Sequence, residues 1–237
     1  MLLGSLEWSN NLILMEGIGM KKEINLKELY SQLDHYVTAG TTWPADSVYE
    51  MMLGAILVQN TTWHNTTLSL ARIGEATHFD PEAISALTIE EVKELIYSSG
   101  FHKRKSQLIL DYFGWLKKHA FDLEEIKCKY QDKLRERLLQ FNGIGNETAD
   151  VLLLYAFEIP VFVADNYALK LFRQLGSEQS TDYLSLKRYV ESSADFTLKE
   201  WQKFHGLIDE YGKVYLRGKQ ESIHPHWEEY KLVIKPS

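Results

Sequence analysis

One cysteine, Cys128, stands in a chain of 237 residues. That excludes a disulfide scaffold and fits a reducing, cytoplasmic compartment. No stretch of about 18 apolar residues occurs, so no transmembrane helix is expected. Residues 1–20 lack the basic start of a signal peptide, and the apolar run Leu12–Met15 is far too short to span anything. Met20-Lys21-Lys22 reads like an ordinary start, which makes the preceding residues a frayed tail or a start-site artefact. Asn60-Thr61-Thr62 and Asn65-Thr66-Thr67 match glycosylation acceptors, a match that means nothing without a secretory signal. The histidines show no metal-ligand spacing, so no metal site is expected. Basic excess is also missing: 26 basic against 33 acidic residues give a net charge of −7. This argues against a generic polyanion binder but leaves room for a local basic face. Internal repeats and low-complexity linkers are absent too, and few alternating strand patterns appear. The expectation is an all-α fold, with a hydrophobic content of 45% that suffices for a real core.

Helical spacing is plentiful. It marks residues 25–39, a helix capped by Asp46 with Glu50 in its first turn and ending at Gln59, and segments at 63–73, 81–87, 89–98, 103–119, 122–130, 132–141, 147–157, 166–175 and 200–219. The stretch 138–176 carries the most information. Leu134, Leu138 and Phe141 form one apolar stripe, and residues 147–157 are apolar almost all round, as in a helix buried on most sides. Between them Gly143-Ile144-Gly145 permits positive φ and close approach, and Gly145 or Asn146 can cap the second helix. A glycine turn before a free helix N-terminus suits a phosphate oxygen. The same residues equally make a plain αα-hairpin. Asp165 follows the short apolar run VFVA and precedes another helical pattern. It reads as an N-cap, and the helix dipole there favours its ionised form, the state that stabilises positive charge on a sugar ring.

These residues in this order resemble the helix-hairpin-helix and downstream Asp of the endonuclease III (helix-hairpin-helix-GPD) superfamily of DNA glycosylases. The hairpin reads Phe141-Asn142-Gly143-Ile144-Gly145-Asn146-Glu147-Thr148-Ala149 against the family's L-x-G-[IV]-G-[RN]-x-T-A. Residues 49–62 resemble the helix ending in a Gln that probes the flipped-base site, here Gln59. Residues 95–118 resemble the element that carries an apolar wedge. The resemblance covers about residues 25–215. It implies two helical lobes with the active site between them: residues 46–158 as a six-helix barrel, and 21–45 with 159–220 as a lobe built from both termini. Residues 1–20 and 221–237 would be tails, the latter polar and peripheral.

Two departures matter. Glu147 stands where lyase members have a Schiff-base Lys, and a carboxylate cannot attack C1′ as an amine would. One cysteine cannot hold the four-cysteine iron–sulfur cluster of many members. Both departures resemble the cluster-free 3-methyladenine glycosylase branch. The resemblance implies no cofactor, and a monomer acting on double-stranded DNA that contains a damaged base. The expected activity is monofunctional hydrolysis of the N-glycosidic bond of an alkylated base. A glycosylase/lyase for oxidised or mismatched bases, or a non-catalytic damage-binding module, are the alternatives. Asp165 would stabilise the oxocarbenium-like sugar. Gly143, Ile144, Gly145, Asn146, Glu147 and Thr148 would meet the phosphate backbone, Gln59 the vacated site, and Phe101 the stack. The basic run Lys103, Arg104 and Lys105 would contact flanking phosphates. Trp43, Pro44, Trp63 and Lys213 would line the base pocket, where an indole face attracts a cationic base.

Overall fold

In the computed structural model, the described residues are 21–193, 195–217 and 225–233. The expectation for residues 1–20 lies outside them. The chain runs β1 (Lys22–Ile24), α1 (Leu26–Tyr36), α2 (Val48–Leu57), α3 (Trp63–Thr77), α4 (Pro81–Ala86), α5 (Ile89–Leu95), α6 (His102–Lys117), α7 (Leu123–Tyr130), α8 (Leu134–Leu139), α9 (Asn146–Tyr155), α10 (Asn166–Gln174), α11 (Tyr183–Glu191), α12 (Leu198–Tyr215), α13 (Pro225–Glu228) and β2 (Tyr230–Leu232). The fold is all-α apart from a parallel pair in which Lys22 faces Tyr230 and Ile24 faces Leu232.

Local chemistry sets many helix starts. Asn25 with Glu28, Thr88 with Glu91, and Thr197 with Glu200 form capping boxes that satisfy otherwise orphaned N–H groups. The cap of α2 is Ser47, which accepts from the Glu50 N–H at 3.1 Å, and not Asp46 as the sequence suggests. Asp46 instead donates its backbone N–H to the Glu50 carboxylate at 2.8 Å. Helix α5 also stops early, giving way to a 3-10 turn at Tyr97–Ser99.

Helix α2 buries every residue from Met51 to Leu57 and packs on α3, α6 and α9. The second group of helices centres on α12, which contacts α1, α10 and, across the junction, α9. Phe162, Phe172, Phe196, Trp201 and Phe204 form its aromatic core. The VFVA run is neither strand nor helix. Its buried backbone is satisfied by side chains of α11: the Phe162 N–H donates to Glu191 at 2.9 Å, and the Phe162 carbonyl accepts from Lys187 at 3.1 Å. Helix α11 itself was unannounced in the sequence, where Leu186 and Val190 are its only buried apolar residues. Buried Asp150 ties these parts together, accepting two bonds from Arg135 and one from Tyr183, with Lys187 3.3 Å away. The expectation of a peripheral C-terminal tail fails for the described part. Trp227 is 1% exposed and Leu232 3%, because an aromatic residue and a paired strand seal the end of α1 and α12.

Candidate active site

The hairpin of α8 and α9 turns on two glycines that do different work. Gly143 has φ +119°, and a Cβ there would stand 3.0 Å from a Leu108 methyl, so this position requires glycine. Gly145 is the N-cap of α9 with an ordinary extended backbone, and an added Cβ would meet nothing within 4 Å. Its lack of a side chain leaves open space before the helix end. No side chain caps this helix, so its N-terminal dipole end faces outward. The Asn146 side chain is turned inward, accepting from Arg135 at 3.0 Å. Ile144 and Thr148 are buried against the core.

Beside this turn the structure gathers the residues expected to disturb the DNA stack. Gln59, Asn60, Phe101, Arg104, Lys105, Leu108 and Gly143 enclose a small cleft of about 40 Å³. Phe101 is 64% exposed and holds φ +47°, a left-handed conformation that costs a non-glycine residue free energy and turns its ring outward from the start of α6. Exposed Tyr97 stacks on His102 nearby, at 5.3 Å between ring centroids. The Gln59 amide nitrogen is buried without a hydrogen-bond partner. Lys103 and Arg104 are exposed as expected. Lys105 is not. It is 4% exposed, and its ammonium donates to the Leu57 and Ser99 carbonyls at 2.8 Å each. Burial pushes its pKa down to about 8. The reading of Lys105 as a phosphate contact is therefore corrected: it bolts the end of α2 to the turn before Phe101.

Asp165 caps α10, with Oδ1 accepting the Ala168 N–H at 2.7 Å. It is 8% exposed, and its pKa is pushed up to about 8, first by burial and then by the Glu147 carboxylate; the helix-terminal N–H groups oppose this without reversing it. The expectation that the dipole alone keeps Asp165 ionised is thus corrected for the empty cleft, where burial is the larger effect. Glu147 in the first turn of α9 keeps an exposed side chain, yet the surrounding cleft wall and then Asp209 raise its pKa as well. Three carboxylates from α9, α10 and α12 therefore face one another. Lys213 ion-pairs with Asp209 at 2.7 Å and Glu210 at 2.6 Å. Burial works against its charge, but those two partners outweigh it and raise its pKa.

Sequence reasoning missed two members of this cluster, Tyr155 and His205. His205 Nε2 lies 3.9 Å from Asp165 Oδ2, and the Tyr155 hydroxyl lies 2.8 Å from His205 Nδ1. Tyr155 looks like an ordinary core residue of α9, and His205 is one polar position in an amphipathic helix. Only their convergence gives a signal.

Trp43 is half-buried, with its ring centroid 5.8 Å from Trp63 and 5.4 Å from Tyr155, so the two expected pocket tryptophans meet edge to face. Pro44 is exposed beside them. The loop that carries them crosses α12 at Gly206, where a Cβ would lie 2.1 Å from the Thr41 carbonyl oxygen. A groove of about 630 Å³ is lined by Thr41, Trp43, Met51, Tyr155, Gln202 and Lys203 among others, and none of the three clustered carboxylates borders it. Trp43 and Tyr155 line that groove, and the Tyr155 hydroxyl also meets His205. Among the described residues no group of His, Cys, Asp or Glu could hold a metal ion.

Comparison with known proteins bears on the family and the fold. The chain is 31% identical over 195 residues, 81% of its own length and 89% of the relative's, to a Methanocaldococcus jannaschii protein named as a DNA repair glycosylase. It is 26% identical to the endonuclease III of Sulfolobus acidocaldarius over 70% of this chain and 73% of that one. The H. pylori 3-methyladenine DNA glycosylase, solved with 1,N6-ethenoadenine bound, superposes with a TM-score of 0.65 at 28% identity, over 78% of this chain and 94% of that one. Endonuclease III trapped as a covalent intermediate with DNA superposes with a TM-score of 0.62 at 18% identity, over 81% of this chain and 86% of that one, a likeness of fold. Residues 53–194, more than half of the chain, match the HhH-GPD superfamily of base excision DNA repair proteins, and the chain belongs to that superfamily.

Proposed function

We propose that the protein is a monofunctional DNA glycosylase, acting as a monomer on duplex DNA and hydrolysing the N-glycosidic bond of an alkylated, cationic purine. The observation that carries this reading is the side-chain chemistry of the cleft. At the first turn of α9, where a lyase needs an amine, Glu147 presents a carboxylate. Lys213, the amine of the cleft, is held protonated by Asp209 and Glu210 and is no nucleophile in that state.

The same acidity favours a positively charged base. Burial, with the Glu147 and Asp209 carboxylates behind it, raises the proton affinity of Asp165, and burial with Asp209 raises that of Glu147, while Lys213, a cation beside them, is already paired with Asp209 and Glu210. A cationic base packed against Trp43, whose ring meets Trp63 edge to face, adds positive charge beside these carboxylates and gains cation–π attraction from the indole. It also draws the pKa of Asp165 back down, so that the substrate itself brings the carboxylate into its ionised, working form. Asp165 then stabilises the oxocarbenium-like sugar as the C1′–N bond lengthens. The hairpin and the Gln59–Phe101 cleft would hold the backbone and fill the vacated stack.

The test is base release from duplexes carrying 3-methyladenine, 7-methylguanine, hypoxanthine, uracil or an oxidised base, with borohydride trapping in parallel. The expected result is preference for the cationic alkylpurines, an intact abasic strand and no covalent adduct. Efficient trapping would overturn the monofunctional reading, and equal release of neutral lesions would overturn the substrate class.

A further inference from the structure

His205 is a partly buried imidazole, its side chain 12% exposed, and its hydrogen bonding is unusually well determined. The Tyr155 hydroxyl lies 3.0 Å from the Gln202 backbone carbonyl and 2.8 Å from His205 Nδ1. A carbonyl only accepts, so the single phenolic hydrogen goes to Gln202, and Nδ1 must carry a hydrogen and donate it to the phenolic oxygen. This leaves Nε2 bare, with its lone pair turned toward Asp165. Burial pushes the imidazole pKa down to about 4; Asp209 opposes that and Lys213 adds to it, so the ring is neutral at neutral pH.

Once substrate has brought Asp165 into its ionised form, two acceptors face each other, His205 Nε2 and Asp165 Oδ2, 3.9 Å apart. That is too far for a direct hydrogen bond, and the other Asp165 oxygen is occupied by the Ala168 N–H. One water donating a hydrogen to each acceptor, at about 2.8 Å, would sit at the apex of a near right angle, close to its own bond angle. Its lone pairs would then point away from both, into the cleft.

We propose that His205 is a second catalytic residue of the hydrolysis: Nε2 and Asp165 Oδ2 hold the attacking water by its two hydrogens and aim its oxygen at C1′. The proposal rests on the hydrolytic reading above. As the water oxygen bonds to C1′, the C1′–N bond breaks and its electron pair leaves with the base. A cationic base departs neutral, and a neutral base takes a proton from solvent. The water's proton passes to Nε2, and the resulting imidazolium pairs with Asp165 until solvent removes it. The charged and titratable groups around the ring are Asp165 of α10, Glu147 and Tyr155 of α9, and Asp209 and Lys213 of α12. The carboxylates among them favour the imidazolium once it forms.

The test is single-turnover base release from a 3-methyladenine duplex. His205→Gln keeps an acceptor for water but cannot take its proton, so the rate should fall about 100-fold, the low end for lost general-base catalysis, with duplex affinity within about twofold. His205→Ala should be slow, recover with added imidazole, and in aqueous methanol yield methyl glycoside that the unmutated protein does not make. Tyr155→Phe, which frees Nδ1 and the Gln202 carbonyl but leaves Nε2 in place, should lose about tenfold, less than His205→Gln. A His205→Gln rate within about threefold of the unmutated protein, or a folded His205→Ala variant that imidazole does not restore, overturns the proposal while the hydrolytic reading stands. Borohydride trapping of the unmutated protein overturns that reading and the proposal with it.

Discussion

Replacing Asp165 by Asn removes one charge and leaves most of the local structure in place. The Asn side chain can still accept the Ala168 N–H, now bonded at 2.7 Å, so α10 keeps its cap. What is lost is the carboxylate that the proposed mechanism sets beside the sugar. Two opposite charges about 4 Å apart at an effective dielectric constant of about 20 interact by about 4 kcal/mol. At about 1.4 kcal/mol per decade that is roughly a 10³-fold fall in the rate of base release, with lesion binding retained. Stability gives an independent check. The folded pKa of Asp165 is raised from 3.8 to about 8, so this group contributes stability that is fully present below pH 3.8 and is lost as the pH rises through about 8. His205 runs the other way. Its folded pKa is lowered from 6.5 to about 4, so its contribution is present above pH 6.5 and is lost as the pH falls through about 4. In Asp165→Asn only the first dependence disappears. Relative to the unmutated protein the variant should gain stability steadily between pH 5 and pH 8. Denaturant melts across that range, with single-turnover base release at each pH, measure both. Near-normal turnover in the Asn variant would refute the catalytic assignment, and a stability difference that ignores pH would refute the raised pKa.

Three further outcomes follow from individual contacts. Gly143→Val forces a β-branched residue to φ +119° against Leu108 and should lower stability by about 1–3 kcal/mol, whereas Gly145→Val should leave the melt unchanged and weaken binding to every duplex alike; a loss confined to one lesion would contradict the phosphate role. Lys105→Met strands the Leu57 and Ser99 carbonyls, at about 1–3 kcal/mol each in chemical denaturation, while Arg104→Ala should spare stability and reduce the salt dependence of DNA binding by about one phosphate contact. Glu147→Lys places an amine in the first turn of α9 and should introduce weak borohydride-trappable lyase activity; an untrappable variant would show that the cleft does not bring this position to C1′.

Local rules were enough to read most of the helices, though not α11, and to read the glycine turn and Asp165 as an N-cap from the residues themselves. Apolar spacing follows directly from helical geometry, and capping and turn chemistry involve neighbours within three or four positions. The same locality explains each error. Asp46 and Ser47 are adjacent and equally plausible caps, and only the backbone conformation at Ser47 decides between them. Lys103, Arg104 and Lys105 read as one basic run, but helical geometry turns the third inward onto two carbonyls, one of them 48 positions back in the chain. The C-terminal segment is polar by composition, yet Trp227 and strand β2 find their burial and pairing against the other end of the chain. Tertiary structure alone decided the chemistry of the cleft. The charge state of Asp165 depends on burial and on Glu147, and the orientation of His205 depends on a tyrosine 50 positions away. Desolvation and charge coupling act through space, and no window of sequence contains them.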